Sequence, residues 1–329
     1  MRIVFHGANA ASFSEGFADL VGPGAEVAIL SDSLAQDGER ERYAAAGAII
    51  GVRFDPSLPR PAALRLFHVP GAGFDAVDLP TLPAAAALCN CFGHEDAIAE
   101  YVMAALLQRT VPLSDADARL RQGEWTWWAG APERAHGEIA GRTIGLLGFG
   151  HIGRAVAARA RAFGMRVHVA NRSPVVAPGL VDRAFPLSDL GDFWASADFI
   201  VVTVPLVPET TGMVDEAAFS AMRRDALLIN VARGPVVEQR ALYEALRDRR
   251  IGGAVIDTWY RYPGPGELQG RPGDLPFEEL PNLLMTPHMS GWTDGTIRRR
   301  QATMAENIRR LMRGEPLLNL VRPAAADVA

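Results

Sequence analysis

The sequence contains no lysine, so arginine supplies all 33 of its lysine-plus-arginine residues. A chain without lysine cannot form a Schiff base through a lysine amine, and it cannot hold a nucleotide phosphate with a Walker-type lysine. Any cation that polarises a substrate must therefore be an arginine, a protonated histidine or a metal ion.

Cysteine is nearly absent as well. Cys89 and Cys91 are the only two cysteines, and both fall in the strand-like segment "AALCNCFGH". A redox or metal pair is one interpretation, but the sequence has no second Cys/His pair at ligand spacing. We therefore predict two buried, reduced thiols and no metal site.

Long apolar runs and a strong charge imbalance are also missing. Apolar residues make up 49% of the chain, charged residues 22%, and the formal net charge is −5. Gly, Pro or charged residues interrupt every apolar run before it reaches the length of a membrane span. The sequence also contains no stripe of basic residues of the kind that binds nucleic acid. Met1 and Arg2 lead directly into strand-like "IVFHG", so we expect no signal peptide. We expect a cytoplasmic protein without nucleic-acid or membrane partners.

Short apolar segments alternate with helical ones, a pattern typical of parallel sheets built from βαβ units. A chain of 329 residues suits two domains. In the second part, Val/Ile/Leu-rich segments such as "DFIVVTVPL" and "ALLINVARG" indicate strands buried on both faces of a doubly wound α/β sheet. The segment "EDAIAEYVMAALLQRT" (95–110) predicts a helix long enough to bridge two domains or to pack against a partner subunit.

A glycine-rich turn stands between a predicted strand and a predicted helix in "TIGLLGFGHIGRAV". Gly148 allows the tight turn, Gly150 lets the backbone approach a pyrophosphate, and Gly153 lets the helix pack on the strand. The following helix would offer the amides near Ile152 to the anion. This context predicts a dinucleotide site that includes the intervening Phe149 and His151.

The end of the next strand, "VHVANRSP", lacks the acid that usually binds the ribose hydroxyls of NAD. Asn171, Arg172 and Ser173 stand there instead. A carboxylate would repel a 2′-phosphate, whereas this corner can bind one through charge and hydroxyl hydrogen bonds. We predict NADP(H) as the preferred cofactor, with NAD(H) as the alternative in which Arg172 only covers the adenine.

Seven segments, in family order over most of the chain, resemble the D-isomer-specific 2-hydroxyacid dehydrogenases, which include glyoxylate/hydroxypyruvate reductases, phosphoglycerate dehydrogenases and formate dehydrogenase. They are "VPGAGFDAVDL" (69–79), "AIAEYVMAALL" (97–107), "LLGFGHIGRAVA", "VPLVPETTGMV" (204–214), "INVARGPVVE" (229–238), "GGAVIDT" and "TPHMSG" (286–291). The resemblance implies two Rossmann-like α/β domains, flavodoxin-like and dinucleotide-binding, with parallel sheets and a cleft between them. It implies a catalytic domain of 1–99 plus 297–329, a cofactor domain of 100–296, and a homodimer formed through the helix near 97–110.

The resemblance also implies roles for single residues. Arg233 in "NVARG" matches the arginine that binds and polarises a 2-keto or 2-hydroxy acid, a role that suits a guanidinium at a strand end. His288 in "TPHMSG" matches the acid/base that exchanges a proton with the substrate oxygen. The amides of Gly71, Ala72 and Gly73 match the loop that holds the substrate carboxylate.

The same matches imply further contacts with the cofactor. Asp257 corresponds to the acid near the nicotinamide amide. The remaining expected cofactor residues are Val204, Pro205, Thr210, Val231, Ala232 and Gly291.

One position departs from the family. The glutamate that usually precedes a proline after "GGAVIDT", and that pairs with the catalytic histidine, is replaced by Tyr262. A tyrosine can hydrogen-bond to an imidazole but brings no charge at neutral pH. We therefore expect Tyr262 to join the catalytic set and a pH optimum for reduction shifted towards acid. Nearby, Trp259 and Trp292 suggest that aromatic side chains line the expected cleft.

Two alternatives remain open at this point. One is oxidation of a small anion, as in formate dehydrogenase, which also lacks this glutamate but has glutamine in its place. The other is a dinucleotide-binding regulator with little turnover, which the missing glutamate favours and the retention of Arg233 and His288 opposes.

Overall fold

The computed structural model describes residues 1–130, 132–264 and 267–325. The chain forms two compact units: Met1–Gly93 together with the chain from Thr293 onward, and His94–Trp292. The domain limits expected from the sequence, at 99/100 and 296/297, fall inside two helices, Glu95–Thr110 and Asp294–Arg313. In the structure, the change of unit comes one residue before each of these helices.

The first unit begins with five parallel strands and their connecting helices. These elements are β1 Arg2–His6, α1 Gly7–Ala11, α2 Phe17–Val21, β2 Glu26–Leu30, α3 Glu39–Ala44, β3 Ala48–Gly51, β4 Leu66–His68 and β5 Ala87–Cys89.

The second unit contains a longer alternation of strands and helices. Its elements are α4 Glu95–Thr110, α5 Leu113–Leu120, β6 Thr143–Leu147, α6 His151–Ala162, β7 Arg166–Asn171, β8 Arg183–Pro186, α7 Gly191–Ala195, β9 Phe199–Val202, α8 Glu216–Ala221, β10 Leu227–Asn230, α9 Gln239–Arg247, β11 Gly253–Ile256 and β12 Leu283–Met285. Short 3₁₀ turns lie at Pro132–Arg134, Pro208–Thr210, Gly234–Val236 and Phe277–Glu279.

The chain then returns to the first unit with α10 Asp294–Arg313 and β13 Leu320–Arg322. The first sheet has the order β13-β5-β4-β3-β1-β2, and β13 is its antiparallel edge strand. The second sheet has the order β12-β11-β10-β9-β6-β7-β8, and every pairing in it is parallel. The two mainly parallel sheets confirm the α/β fold class.

Each sheet is buried on both faces because successive apolar side chains point in opposite directions. In β10, Leu228 packs into the cluster on one face of the second sheet and Ile229 into the cluster on the other. In the first unit, β1 divides its side chains in the same way, with Ile3 and Phe5 opposite Val4. The continuous apolar segments of the sequence are therefore the strands that are buried on both faces.

Cys89 and Cys91 are buried and unbridged, as expected. Burial raises the pKa of both thiols to about 12, so they stay protonated at neutral pH. Across the described ranges, no helix combines the length and apolar character needed to cross a membrane.

Candidate functional site

The predicted site residues of the second unit gather at one edge of its sheet. Three neighbouring strands end in register there, at Asn230 in β10, Ile256 in β11 and Met285 in β12. Adjacent strands lie about 4.8 Å apart, so the loops that follow them are neighbours. Those three loops carry Arg233, Asp257 and His288.

The loop with Arg233 is held by the side chain of Asn230, which is 1% exposed. The Asn230 amide donates to the carbonyl of Arg233 at 3.0 Å, and its oxygen accepts from the amide of Ala232 at 3.1 Å. The half-buried guanidinium of Arg233 donates to the carbonyl of Ala232 at 2.9 Å. The main chain of Arg233 is therefore fixed locally.

Gly234 brings this loop against the next one. A Cβ atom at Gly234 would lie 2.3 Å from the carbonyl oxygen of Trp259 and 2.9 Å from the amide of Tyr260. No larger residue fits without moving backbone, because both neighbours are main-chain atoms. The glycine of "NVARG" thus keeps Arg233 close to the aromatic segment.

His288 lies in left-handed backbone conformation, with φ of +57°. Histidine tolerates this region better than most residues, but it still costs of the order of 1 kcal/mol. The Nδ1 atom of His288 lies 3.0 Å from the hydroxyl of Tyr262, and that hydroxyl also accepts a hydrogen bond from the amide of Trp259 at 3.1 Å. The phenol can therefore give its own proton to Nδ1 of a neutral imidazole, which places the ring proton on Nε2.

The loop 286–290 is organised by Asp257, whose side chain is fully buried. One carboxylate oxygen accepts from the hydroxyl of Thr286 at 2.6 Å and from the amide of Met289 at 2.9 Å, and the other accepts from the amide of Ser290 at 3.0 Å. Charge-assisted bonds of this kind are stronger than neutral ones. Asp257 thus fixes the loop on both sides of His288, and its contact with a nicotinamide stays a prediction.

The aromatic segment belongs largely to the core. Trp259 is 5% exposed, its indole donates to the carbonyl of Thr286 at 2.8 Å, and its ring packs on Phe277 at 5.7 Å. Tyr260 stacks on the same phenylalanine and donates to the carbonyl of Val237. Trp259 is therefore not the aromatic pocket wall suggested by the sequence, because its indole anchors the histidine loop from inside.

The glycine-rich turn after β6 has the geometry of an anion cradle. Gly148 has φ of +105°, and a Cβ at Gly153 would lie 2.5 Å from the carbonyl oxygen of Gly148. A Cβ at Gly150 would meet no atom within 4 Å, so the space over it is open. Helix α6 has no side-chain N-cap bond and no acid in its first turn. The positive end of its dipole therefore faces the turn without a neutralising acid, and these residues fit a pyrophosphate.

The side chain of Asn171 holds the segment 171–173 at the end of β7. Its side-chain oxygen accepts from the amide of Phe149 at 3.2 Å, and its amide donates to the carbonyl of Ser173 at 2.9 Å. Arg172 and Ser173 are exposed. Asn171 thus links the glycine-rich turn to the segment 171–173, in which Arg172 and Ser173 remain at the surface.

The other predicted cofactor residues also belong to the second unit. The hydroxyl of Thr210 accepts from the amide of Val207 at 2.9 Å and donates to the carbonyl of Pro205 at 2.6 Å, which holds the loop after β9. Val204, Val231 and Ala232 are buried, Ile152 and Gly291 are half-buried, and His151 and Pro205 are exposed.

The predicted carboxylate-binding loop lies in the first unit, directly after β4. Gly71, Ala72 and Gly73 are half-buried. The carbonyl of Gly71 accepts from the amide of Cys91 at 2.9 Å, and that of Ala72 accepts from the side chain of Asn90 at 2.7 Å. Both carbonyls are thus bonded within the unit, and the role of this loop in substrate binding stays a prediction.

Three residues that support the site were not predicted: Tyr101, Asn230 and Thr286. Asn230 and Thr286 fall inside the motifs "INVARG" and "TPHMSG", so their position beside candidate residues was a usable signal. Tyr101 also falls inside a quoted segment, "AIAEYVMAALL", but no candidate residue stands beside it in the sequence, so its position gave no such signal.

Comparison with known proteins places this geometry in a family context. Residues 103–290 match the family described as D-isomer specific 2-hydroxyacid dehydrogenase, NAD binding domain. The glyoxylate reductase of Korarchaeum cryptofilum (strain OPF8) is 35% identical over 233 residues, which are 70% of this chain and 67% of that protein.

Two further similarities bear on function. The D-3-phosphoglycerate dehydrogenase of Methanocaldococcus jannaschii is 31% identical over 227 residues, which are 68% of this chain but only 40% of that longer protein. A solved structure of a D-isomer specific 2-hydroxyacid dehydrogenase from Xanthobacter autotrophicus Py2, in complex with NADPH and MES, is 28% identical, has a TM-score of 0.78, and covers 98% of each chain.

Proposed function

The chain belongs to the D-isomer-specific 2-hydroxyacid dehydrogenase family, and from this premise we propose that it is an NADP(H)-preferring oxidoreductase that interconverts a 2-keto acid and a 2-hydroxy acid. One observation carries the proposal: Arg233 and His288 follow strands β10 and β12, on either side of the strand that leads to Asp257, at a single sheet edge.

Arg233 binds and polarises the substrate in this proposal. Its guanidinium presents several fixed donors, which suit the carboxylate and the carbonyl oxygen of a 2-keto acid. Positive charge beside that oxygen stabilises the negative charge that develops on it during reduction. The bonds from Asn230 and the close approach at Gly234 fix the main chain of Arg233, so less ordering is needed on binding.

His288 exchanges the proton. During reduction, Nε2 gives a proton to the carbonyl oxygen, and during oxidation it takes that proton back from the hydroxyl group. Tyr262 acts through Nδ1. Its hydroxyl accepts from Nδ1–H when the ring is protonated and when the ring is neutral with Nε2 ready to take a proton, and it donates only to the tautomer whose proton is on Nε2. The amide of Trp259 holds the phenol oxygen in place in each case. Tyr262 therefore orients His288 without adding charge.

The residues for a nicotinamide dinucleotide are those of the second unit. When bound, the cofactor supplies or accepts the hydride. The turn Gly148–Gly153 and the N-terminus of α6 would hold its pyrophosphate, and Thr210 fixes the neighbouring loop at Pro205. Arg172 and Ser173, with no carboxylate at Asn171, favour NADP(H), and the NADPH complex of the Xanthobacter relative agrees with that preference.

Three further elements complete the proposal. The amides of Gly71, Ala72 and Gly73 bind the substrate carboxylate. Helix α4 forms the interface of a homodimer. The protein acts in the cytoplasm.

A substrate panel tests the proposed function. Oxidation of NADPH and of NADH is followed with glyoxylate, hydroxypyruvate and bulkier 2-keto acids, and formate is supplied with NADP⁺ and NAD⁺ in the reverse direction. The expected result is turnover of at least one 2-keto acid. This turnover should be faster with NADPH than with NADH, and at least about a hundredfold slower in His288→Gln than in the wild type. Turnover of formate alone would identify the small-anion alternative. Tight cofactor binding without any turnover would identify the regulator.

A further inference from the structure

A hydrogen-bonded chain connects helix α4 to the loop that carries His288. The hydroxyl of Tyr101 lies 2.7 Å from the hydroxyl oxygen of Thr286, which lies 2.6 Å from the carboxylate of Asp257. All three residues are in the second unit, and Thr286 stands two residues before His288.

The direction of these bonds follows from their chemistry. An ionised carboxylate only accepts, so the single proton of the Thr286 hydroxyl goes to Asp257. Tyr101 must then be the donor to Thr286. Burial raises the pKa of Tyr101 to about 12, so this donor keeps its proton throughout the neutral range.

The loop needs such support because His288 holds an unfavourable backbone conformation. Its φ of +57° persists only where surrounding bonds over-determine it. Asp257 and Trp259 hold the loop from the end of the neighbouring strand β11. Tyr101 anchors the loop from a different element, α4. This helix packs through Ile98, Val102 and Leu106 into the core cluster that includes α6.

We infer that Tyr101 is a positioning residue for the acid/base histidine: through Thr286 and Asp257, its hydroxyl fixes the loop that sets the direction of the His288 ring. The inference rests on the proposed function of His288. It assigns to helix α4 a role in proton transfer that does not require contact with substrate or cofactor.

Removal of one hydroxyl tests the inference, and two tyrosines provide matched controls. Tyr101→Phe is compared with Tyr260→Phe, which removes a bond to the carbonyl of Val237 in the same unit, and with Tyr43→Phe, whose buried hydroxyl has no partner in the described part of the chain. The expected result is a five- to tenfold lower kcat for Tyr101→Phe, about the value of one lost hydrogen bond. The KM for NADPH stays constant, and both controls keep the wild-type kcat.

A double-mutant cycle separates positioning from general destabilisation. Because Tyr101 acts through Thr286, the variant Tyr101→Phe/Thr286→Val should be no slower than Thr286→Val alone. The inference is overturned if the two effects multiply. It is also overturned if Tyr260→Phe lowers both Tm and kcat as much as Tyr101→Phe does, because the loss of kcat would then reflect general destabilisation.

A measurement without turnover keeps the inference distinct from the proposed function. The ring resonances of His288, assigned by their loss in His288→Gln, should shift in Tyr101→Phe and stay in place in Tyr260→Phe. Unmoved resonances in Tyr101→Phe would overturn the positioning role. If they shift while the wild type reduces no 2-keto acid, the loop linkage stands and the proposed function fails.

Discussion

The substitution Tyr262→Glu introduces the carboxylate that the family resemblance leads us to expect beside His288. In the present chain the neutral hydroxyl of Tyr262 is 3.0 Å from Nδ1 of His288. A negative charge at this position favours the protonated imidazole and must raise its pKa. If the protonated ring is the acid during reduction, activity falls as pH rises through that pKa, so the falling limb of the pH–rate profile should move to higher pH.

The size of this shift follows from reach and exposure. A glutamate carboxylate ends about 2 Å closer to its own backbone than a tyrosine hydroxyl does, which puts it roughly 5 Å from Nδ1 if the main chain stays in place. Tyr262 is 52% exposed and His288 is exposed, so water screens the pair strongly. With an effective dielectric constant of about 40 to 80, Coulomb's law gives a shift of about 0.6 to 1.2 pH units.

The assay is the pH dependence of kcat for keto-acid reduction at saturating NADPH, between about pH 5 and 9. Tyr262→Phe is the matched control, because it removes the hydroxyl and adds no charge. The falling limb should move up by about one pH unit in Tyr262→Glu and much less in Tyr262→Phe. Equal positions in the wild type and Tyr262→Glu, or equal shifts in both variants, would refute the electrostatic reasoning.

Three further outcomes follow from other parts of the structure. Gly234→Ala places a Cβ 2.3 Å from main-chain atoms of the next loop and should cost about 1–3 kcal/mol in urea unfolding, whereas Gly191→Ala, in open space, should cost nothing. His68 is buried, its Nε2 accepts from the side chain of Asn307, and burial lowers its pKa to about 4. Between about pH 6.5 and pH 4 the unfolded chain therefore binds a proton that the folded chain does not, so the free energy of unfolding should fall by about 3 kcal/mol as the pH is lowered through this range. The fall should be smaller in His68→Gln. Arg172→Ala should lower kcat/KM for NADPH about tenfold while that for NADH changes little, and equal losses would count against the 2′-phosphate contact.

The α/β fold was predictable because its signals are local. Two-sided burial produces continuous Val/Ile/Leu strands, and α4 occupies 95–110 as its apolar spacing predicts. The antiparallel edge strand β13 was not predicted, since its three residues, Leu320–Arg322, carry no alternation long enough to identify a strand.

The candidate site was predictable where a motif names the residue. The turn Gly148–Gly153 needs glycine for reasons of backbone conformation and close approach, so its chemistry can be read from the sequence. The supporting bonds could not be read in this way. The link from Tyr101 to Thr286 joins residues 185 positions apart, and only the folded chain shows which hydroxyl groups meet.

The aromatic segment shows the same limit most clearly. The sequence singles out Tyr262 by its place before a proline, but it does not distinguish the roles of Trp259 and Tyr260. Trp259 anchors the histidine loop, Tyr260 packs on Phe277, and Tyr262 contacts the imidazole. Burial and hydrogen-bond partners, which depend on tertiary structure, decide among these roles.

The most direct test of the account is single-turnover reduction of a 2-keto acid by Arg233→Gln and His288→Gln, with the Kd for NADPH measured alongside. If both groups act on one carbonyl, each variant should lose about 10²–10³-fold in the rate of reduction while its Kd for NADPH changes by less than about threefold. A wild-type rate in either variant, or a loss fully explained by weaker NADPH binding, would contradict the account.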